Sequence, residues 1–328
     1  MLEHGGNLRQ AAKNSSIPLN QWLDLSTGVN PNGWPVPEVP SRVWQRLPEI
    51  NDGLEQAARD YYGCDLLLPV AGSQAAITRL PQLRDRSRVG LLALSYNEHA
   101  AAWQRAGHEV VLLQAETVAE QLQTLDVLLL VNPNNPTGTY WSVSQLRDFS
   151  QQLAKRGGWL IVDEAFIDAT PEQSMLPFVG EPGLIVLRSL GKFFGLAGVR
   201  LGFVFAWRAL LAELDELANP WEVNHVARYV GRMALMDDAW QRQTRRELPK
   251  QVYRLAQLLD ESGLSVSGGC ALFQWCERAD AESLQQQLAQ QGVWVRLFRQ
   301  QPSVRFGLPA DEDQWQRLQI ALRSLGRG

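Results

Sequence analysis

A two-domain α/β protein built on a parallel sheet is the fold class this sequence predicts, and three observations carry it. The chain has 328 residues, which at the usual ~150 residues per domain means about two domains. From about Leu54 to Trp207, short β-rich apolar runs alternate with helical stretches, the pattern of a sheet covered by helices. The runs Asp126–Val131 and Trp159–Val162 are almost continuously hydrophobic, as strands buried on both faces require.

The candidate strands of the large domain are Val89–Leu94, Glu109–Leu113, Val127–Val131, Trp159–Val162, Ile185–Leu187 and Leu201–Phe205. Helices are expected after the loops near Ser73, Glu98, Ser142 and Ala209, and the loops at the carboxyl ends of the strands should carry the site. Beyond Trp221 the chain turns to long amphipathic helices rich in Gln and Arg. Short strands around Val266, Phe273, Val293–Leu297 and Val304–Phe306 interrupt them, which reads as a smaller α+β domain. The first forty or so residues are rich in Gly, Asn and Pro and weakly periodic, an arm held by the rest of the protein. The expected division is therefore an arm at 1–40, a large domain at 41–218 and a small domain at 219–328. There is no internal repeat, and Gln285–Gln287 reads as the solvated face of a helix.

Composition narrows the partners. Hydrophobic residues make up 45% and charged residues 20%, too apolar for a disordered chain. A net charge of −4 argues against a polyanion-binding surface, so nucleic acid is not an expected partner. No apolar run approaches the ~20 residues needed to cross a bilayer, and the start, Met1-Leu2-Glu3-His4-Gly5, lacks a signal-peptide pattern. A cytoplasmic enzyme with no membrane partner is expected. Cys64, Cys270 and Cys276 form no C-x-x-C pair and suit reduced, structural thiols. His4, His99, His108 and His225 are scattered, so no metal site is expected.

Four motifs carry chemistry. Ala71-Gly72-Ser73-Gln74 is a Gly-Ser turn opening a helix, which offers backbone N–H groups and a hydroxyl to a phosphate. Asn132-Pro133-Asn134-Asn135-Pro136-Thr137-Gly138 directly follows a buried strand and places side-chain amides at its end. Asp163-Glu164-Ala165-Phe166 ends an apolar strand with an acid, a costly position unless a cation or hydrogen-bond donor meets it. In Ser189-Leu190-Gly191-Lys192-Phe193-Phe194-Gly195, one of only four lysines in the chain sits among glycines and aromatics. A lysine amine attacks a carbonyl only when deprotonated, and apolar neighbours favour that state.

These motifs, in this order and with Arg200 eight residues after Lys192, resemble the fold-type I, class I/II aminotransferase-like enzymes that use pyridoxal 5'-phosphate. The resemblance covers nearly the whole chain. It implies a large domain with a mainly parallel seven-stranded sheet covered by helices, plus the smaller α+β domain. His4-Gly5-Gly6-Asn7, Asp24-Leu25-Ser26-Thr27-Gly28-Val29-Asn30-Pro31 and Gly195-Leu196-Ala197-Gly198-Val199-Arg200-Leu201-Gly202 narrow it to the threonine-phosphate decarboxylases of cobalamin biosynthesis. That family is related to the histidinol-phosphate aminotransferases, which are the alternative reading. The implied substrate is a small phosphorylated amino acid, L-threonine O-3-phosphate. The implied product is (R)-1-aminopropan-2-ol O-2-phosphate, for the nucleotide-loop linker of cobalamin, and the implied assembly is a homodimer.

Residue by residue, the resemblance makes Lys192 the catalytic lysine that joins the cofactor, and Asp163 the partner of its ring nitrogen. Asn135 matches the donor to the ring hydroxyl and a substrate contact, and Tyr96 the aromatic stacked on the ring. Gly72, Ser73 and Gln74, with Ser189 and Arg200, would hold the cofactor phosphate. Arg305 matches the arginine that grips the substrate carboxylate, and Arg296, His4 and Asn30 would take the substrate phosphate, the last two from the arm. Two positions depart from common relatives. Leu47 stands where many have a tyrosine that reaches the neighbouring subunit's cofactor, and Phe166 where typical aminotransferases have tyrosine.

Overall fold

Seven strands form the central sheet in a computed structural model of the protein, which describes residues 5–13 and 15–325. They are β1 (Leu67–Val70), β2 (Arg88–Leu92), β3 (Glu109–Leu113), β4 (Val127–Val131), β5 (Trp159–Asp163), β6 (Leu184–Ser189) and β7 (Gly202–Phe205). Their order across the sheet is β1-β7-β6-β5-β4-β2-β3. β7 runs antiparallel to both its neighbours, and every other pairing is parallel. Every residue of β4, β5, β6 and β7 is buried, which is why their sequences lack the alternation of a half-exposed strand.

The mainly parallel seven-stranded sheet that the resemblance implies is thus present, with one strand the periodicity does not reveal. β1 is only four residues long, holds Pro69 and lies at the sheet edge, where a residue without an N–H is tolerated. Helices Ser73–Arg79, Asn97–Arg105, Val143–Ala154 and Arg208–Glu216 follow β1, β2, β4 and β7. Ser142 closes a reciprocal capping box with Gln145 at the start of the third.

The chain separates into two compact units. One comprises Gly33–Asn135 and Thr139–Gln243, and the other the described residues up to Asn32, Pro136–Gly138 and those from Thr244 on. The changeovers differ from the boundaries expected at 40 and 218, for two packing reasons. Trp34 donates its backbone N–H to Phe194 O at 2.8 Å and its indole N–H to Asp237 Oδ2 at 3.0 Å. Arg228, in helix His225–Met236, is bound to Asp52 at 2.7 Å and Glu55 at 2.8 Å beside helix Leu54–Tyr62. Both segments thereby join the larger unit.

In the smaller unit a four-stranded antiparallel sheet has the order Arg296–Phe298, Ser303–Gly307, Phe273–Glu277, Gly268–Cys270. The strand expected around Val266 begins at Gly268, where pairing with Trp275 starts. The single strand expected over Val293–Leu297 is split. Val293–Trp294 pairs in parallel with Leu23–Asp24, and Arg296–Phe298 pairs with Ser303–Arg305. The N-terminal residues are thus tied to this unit by backbone hydrogen bonds.

Behind β6 lies a buried ion network. Arg188, wholly enclosed, donates to Glu164 Oε2 at 2.8 Å and also pairs with Asp168. Glu164 further accepts from the Met175 N–H at 2.7 Å and the Ser174 hydroxyl. Burial pushes the Glu164 carboxyl up, against the Arg188 charge and these hydrogen bonds. Replacing Arg188 with Met strands two enclosed carboxyls and should cost about 3–5 kcal/mol of unfolding free energy. Urea denaturation measures it, and a loss below about 1 kcal/mol would mean the network contributes little.

Candidate active site

Sheet register places the motif residues at one edge of the larger unit. Val131 at the end of β4 pairs with Asp163 at the end of β5, which pairs with Leu187 on β6. Because β7 runs the other way, its first residue lies at the same edge as these carboxyl ends. Gly202 pairs with Ser189 on one side and Val70 on the other. The turn after β1, the loop after β4, Asp163 and the Ser189–Arg200 loop therefore converge.

Asp163 is 3% exposed, and both its oxygens are engaged. Oδ2 lies 2.8 Å from His99 Nε2, and Oδ1 accepts the Ala165 N–H at 3.0 Å. An ionised carboxylate can only accept, so Nε2 is the donor. His99 belongs to none of the sequence motifs. Its signal was its place three residues after Tyr96, one turn along helix Asn97–Arg105, whose first turn follows β2. The Tyr96 ring stands edge-on to His99 with centroids 5.9 Å apart, and its hydroxyl donates to Gln74 Oε1 at 3.0 Å. Gln74 thus engages through its side chain as well as lying in the turn.

The phosphate-type turn is shaped by close approach. Gly72 has φ +73°, and a Cβ there would lie 2.8 Å from Arg200 Nη2. Only a glycine lets the exposed guanidinium of Arg200 come so near the turn. At Gly202 a Cβ would fall 2.7 Å from the Ser73 nitrogen, so this position too must stay bare for the turn and β7 to meet. Ser189, buried, accepts the Gly191 N–H on its hydroxyl at 3.2 Å and so starts the lysine loop.

That loop is anchored by aromatics. Phe193 and Phe194 are fully enclosed, with Trp240 at 5.4 and 5.6 Å and Tyr61 5.5 Å from Phe194. Lys192, directly before them, is half-buried, with Nζ 5.7 Å from the centre of the Phe166 ring. In the loop after β4, Asn132 and Asn134 are structural. Asn132 exchanges two hydrogen bonds with the Trp141 backbone, at 2.9 and 3.1 Å, and Asn134 links Ser95 and Leu94. Asn135 is half-buried beyond them.

The remaining expected residues belong to the smaller unit. Arg305 is 6% exposed, and its Nη2 donates to Ser26 O at 2.7 Å. It stands directly across from Arg296 in the antiparallel pair. Burial pulls the Arg305 guanidinium down to about 10, opposed by Cys270 and reinforced by Arg296. Like charges placed opposite each other in a sheet are unfavourable. Asn30 is buried, and its Oδ1 accepts the Asn32 N–H at 3.0 Å. His4 lies outside the described residues.

Residues 23–323 match the family described as aminotransferase class I and II. The chain belongs to that family. It is 51% identical to a threonine-phosphate decarboxylase of Pseudomonas aeruginosa, over 98% of this chain and 97% of that protein. It is 36% identical to a threonine-phosphate decarboxylase of Sinorhizobium sp, over 97% of each. In architecture it resembles the histidinol-phosphate aminotransferase of Sinorhizobium meliloti, solved in complex with pyridoxal-5'-phosphate. There the TM-score is 0.84 with 18% identity, over 100% of this chain and 95% of that one, a likeness of fold. The family's fold-type I architecture accounts for the sheet order and for the site at its carboxyl edge.

Tyr96 gives a pH test of this edge. Burial, then Glu98 and Asp163, push its phenol up to about 12 against the opposing Arg200. A phenol with a raised folded-state pKa stabilises the fold fully below its unfolded value and loses that contribution as pH climbs towards 12. The ultraviolet difference spectrum between the protein and a Tyr96→Phe variant should therefore show no phenolate step below about pH 11. A step at pH 10 would place the ring in solvent.

Proposed function

We propose that this protein is a pyridoxal 5'-phosphate-dependent threonine-phosphate decarboxylase. It converts L-threonine O-3-phosphate into (R)-1-aminopropan-2-ol O-2-phosphate, the nucleotide-loop linker of cobalamin. The observation that carries the reading is near-full-length identity of 51% to a relative bearing that name, joined to a site whose chemistry fits the cofactor. Two features of the larger unit make the fit. A buried acid is held by His99, and a bare glycine cradle lies under Arg200 where a Cβ would intrude.

When bound, the cofactor's protonated pyridine ring accepts the electron pair left at Cα when a bond to it breaks. The chain's residues serve that chemistry. Lys192 supplies the amine that attaches the cofactor. The Asp163 carboxylate, fixed by His99, keeps a proton on the ring nitrogen. Asn135 would donate to the ring hydroxyl, and Tyr96 would offer the ring an aromatic neighbour. Gly72, Ser73, Gln74, Ser189 and Arg200 hold the cofactor phosphate. In the smaller unit, Arg305 grips the substrate carboxylate, and Arg296, with His4 and Asn30, takes the substrate phosphate. With both anionic ends of the substrate held, these residues would orient it so that its carboxylate is the group lost as CO2, with a proton replacing it at Cα. A few kcal/mol of such orientation decides between decarboxylation and transamination, at tenfold per 1.4 kcal/mol.

The same reading makes the protein a cytoplasmic homodimer. Among the described residues no helix is long and apolar enough to cross a membrane, and all three cysteines are free. Trp44, Leu47 and Ile50, 60–83% exposed, lie along one stretch, with Trp221 61% exposed and His225 Nδ1 3.1 Å from Arg46 O. Exposed apolar side chains in such numbers suit a face covered by a second copy.

The deciding experiment gives purified holoenzyme phosphothreonine, threonine, phosphoserine and histidinol phosphate, and measures CO2 and keto product for each. CO2 from phosphothreonine is expected; keto product with 2-oxoglutarate and no CO2 rejects the assignment. A Lys192→Ala variant should lose the visible absorbance of attached cofactor. Arg305→Ala should keep that absorbance and use substrate at least about 100-fold less well, a loss of about 2.7 kcal/mol or more. For the assembly, sedimentation should give a dimer that Trp44→Glu with Ile50→Glu converts to monomer; a monomeric parent protein rejects it.

A further inference from the structure

Ser26 lies in the smaller unit where the N-terminal segment meets the strand that bears Arg305, and it is 1% exposed. Each of its polar groups is engaged. The backbone N–H and the hydroxyl both donate to Asp24 Oδ1, at 2.9 and 2.6 Å. The hydroxyl oxygen accepts the Gly6 N–H at 2.8 Å. The carbonyl oxygen accepts from Arg305 Nη2 at 2.7 Å.

The contact with the N-terminal segment is close as well as polar. A Cβ on Gly5 would lie 2.4 Å from Ser26 O, the same atom that holds the arginine. The flanking backbone is equally tied. Leu25 donates to Trp294 O at 2.8 Å and accepts from Gly307 N–H at 2.7 Å, two residues after Arg305. The segment also walls a cavity of about 230 Å³ whose lining includes Gly5, Asn7, Gln10, Ser26, Trp294 and Arg296.

We infer that Ser26 is a positioning residue that couples the seating of the N-terminal segment to the orientation of the Arg305 guanidinium. The inference rests on the proposed reading of Arg305 as the carboxylate clamp. A planar fork grips a carboxylate through paired hydrogen bonds only when its rotation is set. Ser26 O takes one N–H of Nη2 and sets it. The hydroxyl, pinned by Asp24, holds Gly6, and Gly5 lies beside the carbonyl with no room for a Cβ. Displacing the segment shifts the carbonyl and so turns the fork, and it removes the wall of the cavity facing Arg296. Coupling of this kind is reciprocal: loss of Arg305 also loosens the segment.

Two measurements on the holoenzyme test it. In steady-state kinetics with phosphothreonine, Ser26→Ala and Gly5→Ala should each raise KM about tenfold while kcat stays within about threefold. Ser26→Thr, which keeps the hydroxyl, should restore KM, and the cofactor absorbance should be unchanged in all three. In hydrogen exchange, the Gly6 amide should open about tenfold faster in Ser26→Ala and also in Arg305→Ala. Normal KM in Ser26→Ala alongside impaired substrate use in Arg305→Ala overturns the coupling and leaves the clamp standing. Full substrate use in Arg305→Ala overturns the clamp and, with it, the functional part of the inference. Unchanged Gly6 exchange in Arg305→Ala overturns the inference on structural grounds alone.

Discussion

A carboxylate at the end of a strand with no exposed residue is the constraint on which this structure turns. Asp163 follows Trp159–Val162 into the interior, where an unmet charge is costly. His99 and the Ala165 N–H meet it from two sides. Each of those partners has its own support. His99 sits on the helix after β2, and Ala165 on the turn that sends Glu164 into the network beneath β6. Moving any of these elements would leave a buried charge short of a donor. The sheet, the helix after β2 and the turn after β5 are therefore held to one arrangement by one buried acid.

The reversed strand β7 does a second job. In a wholly parallel sheet, the turn after β1 and the end of β6 would be joined through a strand that starts at the far edge. Here Gly202 starts at the near edge, between Val70 and Ser189. The price of that meeting is side-chain space, met by glycine at positions 72 and 202. An arginine with positive φ then turns its side chain back over the glycine turn. Enclosed phenylalanines and Trp240 fix the loop between, so the lysine is presented by a rigid element rather than a mobile one.

The smaller unit arranges its arginines differently. It places two arginines opposite each other on adjacent strands, one of them almost fully enclosed, and ties that one to the backbone at Ser26. Like charges directly opposite each other in a sheet are unfavourable by themselves. The phenylalanine at 166, where typical aminotransferases have tyrosine, leaves an apolar ring near Lys192.

The sequence alone determined the class of fold, the positions of most strands along the chain and the motifs at their ends. Those features are local: continuous apolar runs mark strands buried on both faces, and motif residues sit within a few positions of strand ends. It did not reveal β1, because four residues with a proline carry no periodicity, nor the split of Val293–Leu297, because only pairing with two different strands separates its halves. The unit boundaries were decided by Trp34 and Arg228, whose partners lie far away in sequence. His99, the Gly72–Arg200 contact and the Ser26 junction were likewise settled only in three dimensions. Each joins groups between twenty and almost three hundred residues apart, and no spacing along a chain encodes such a meeting until the sheet register fixes it.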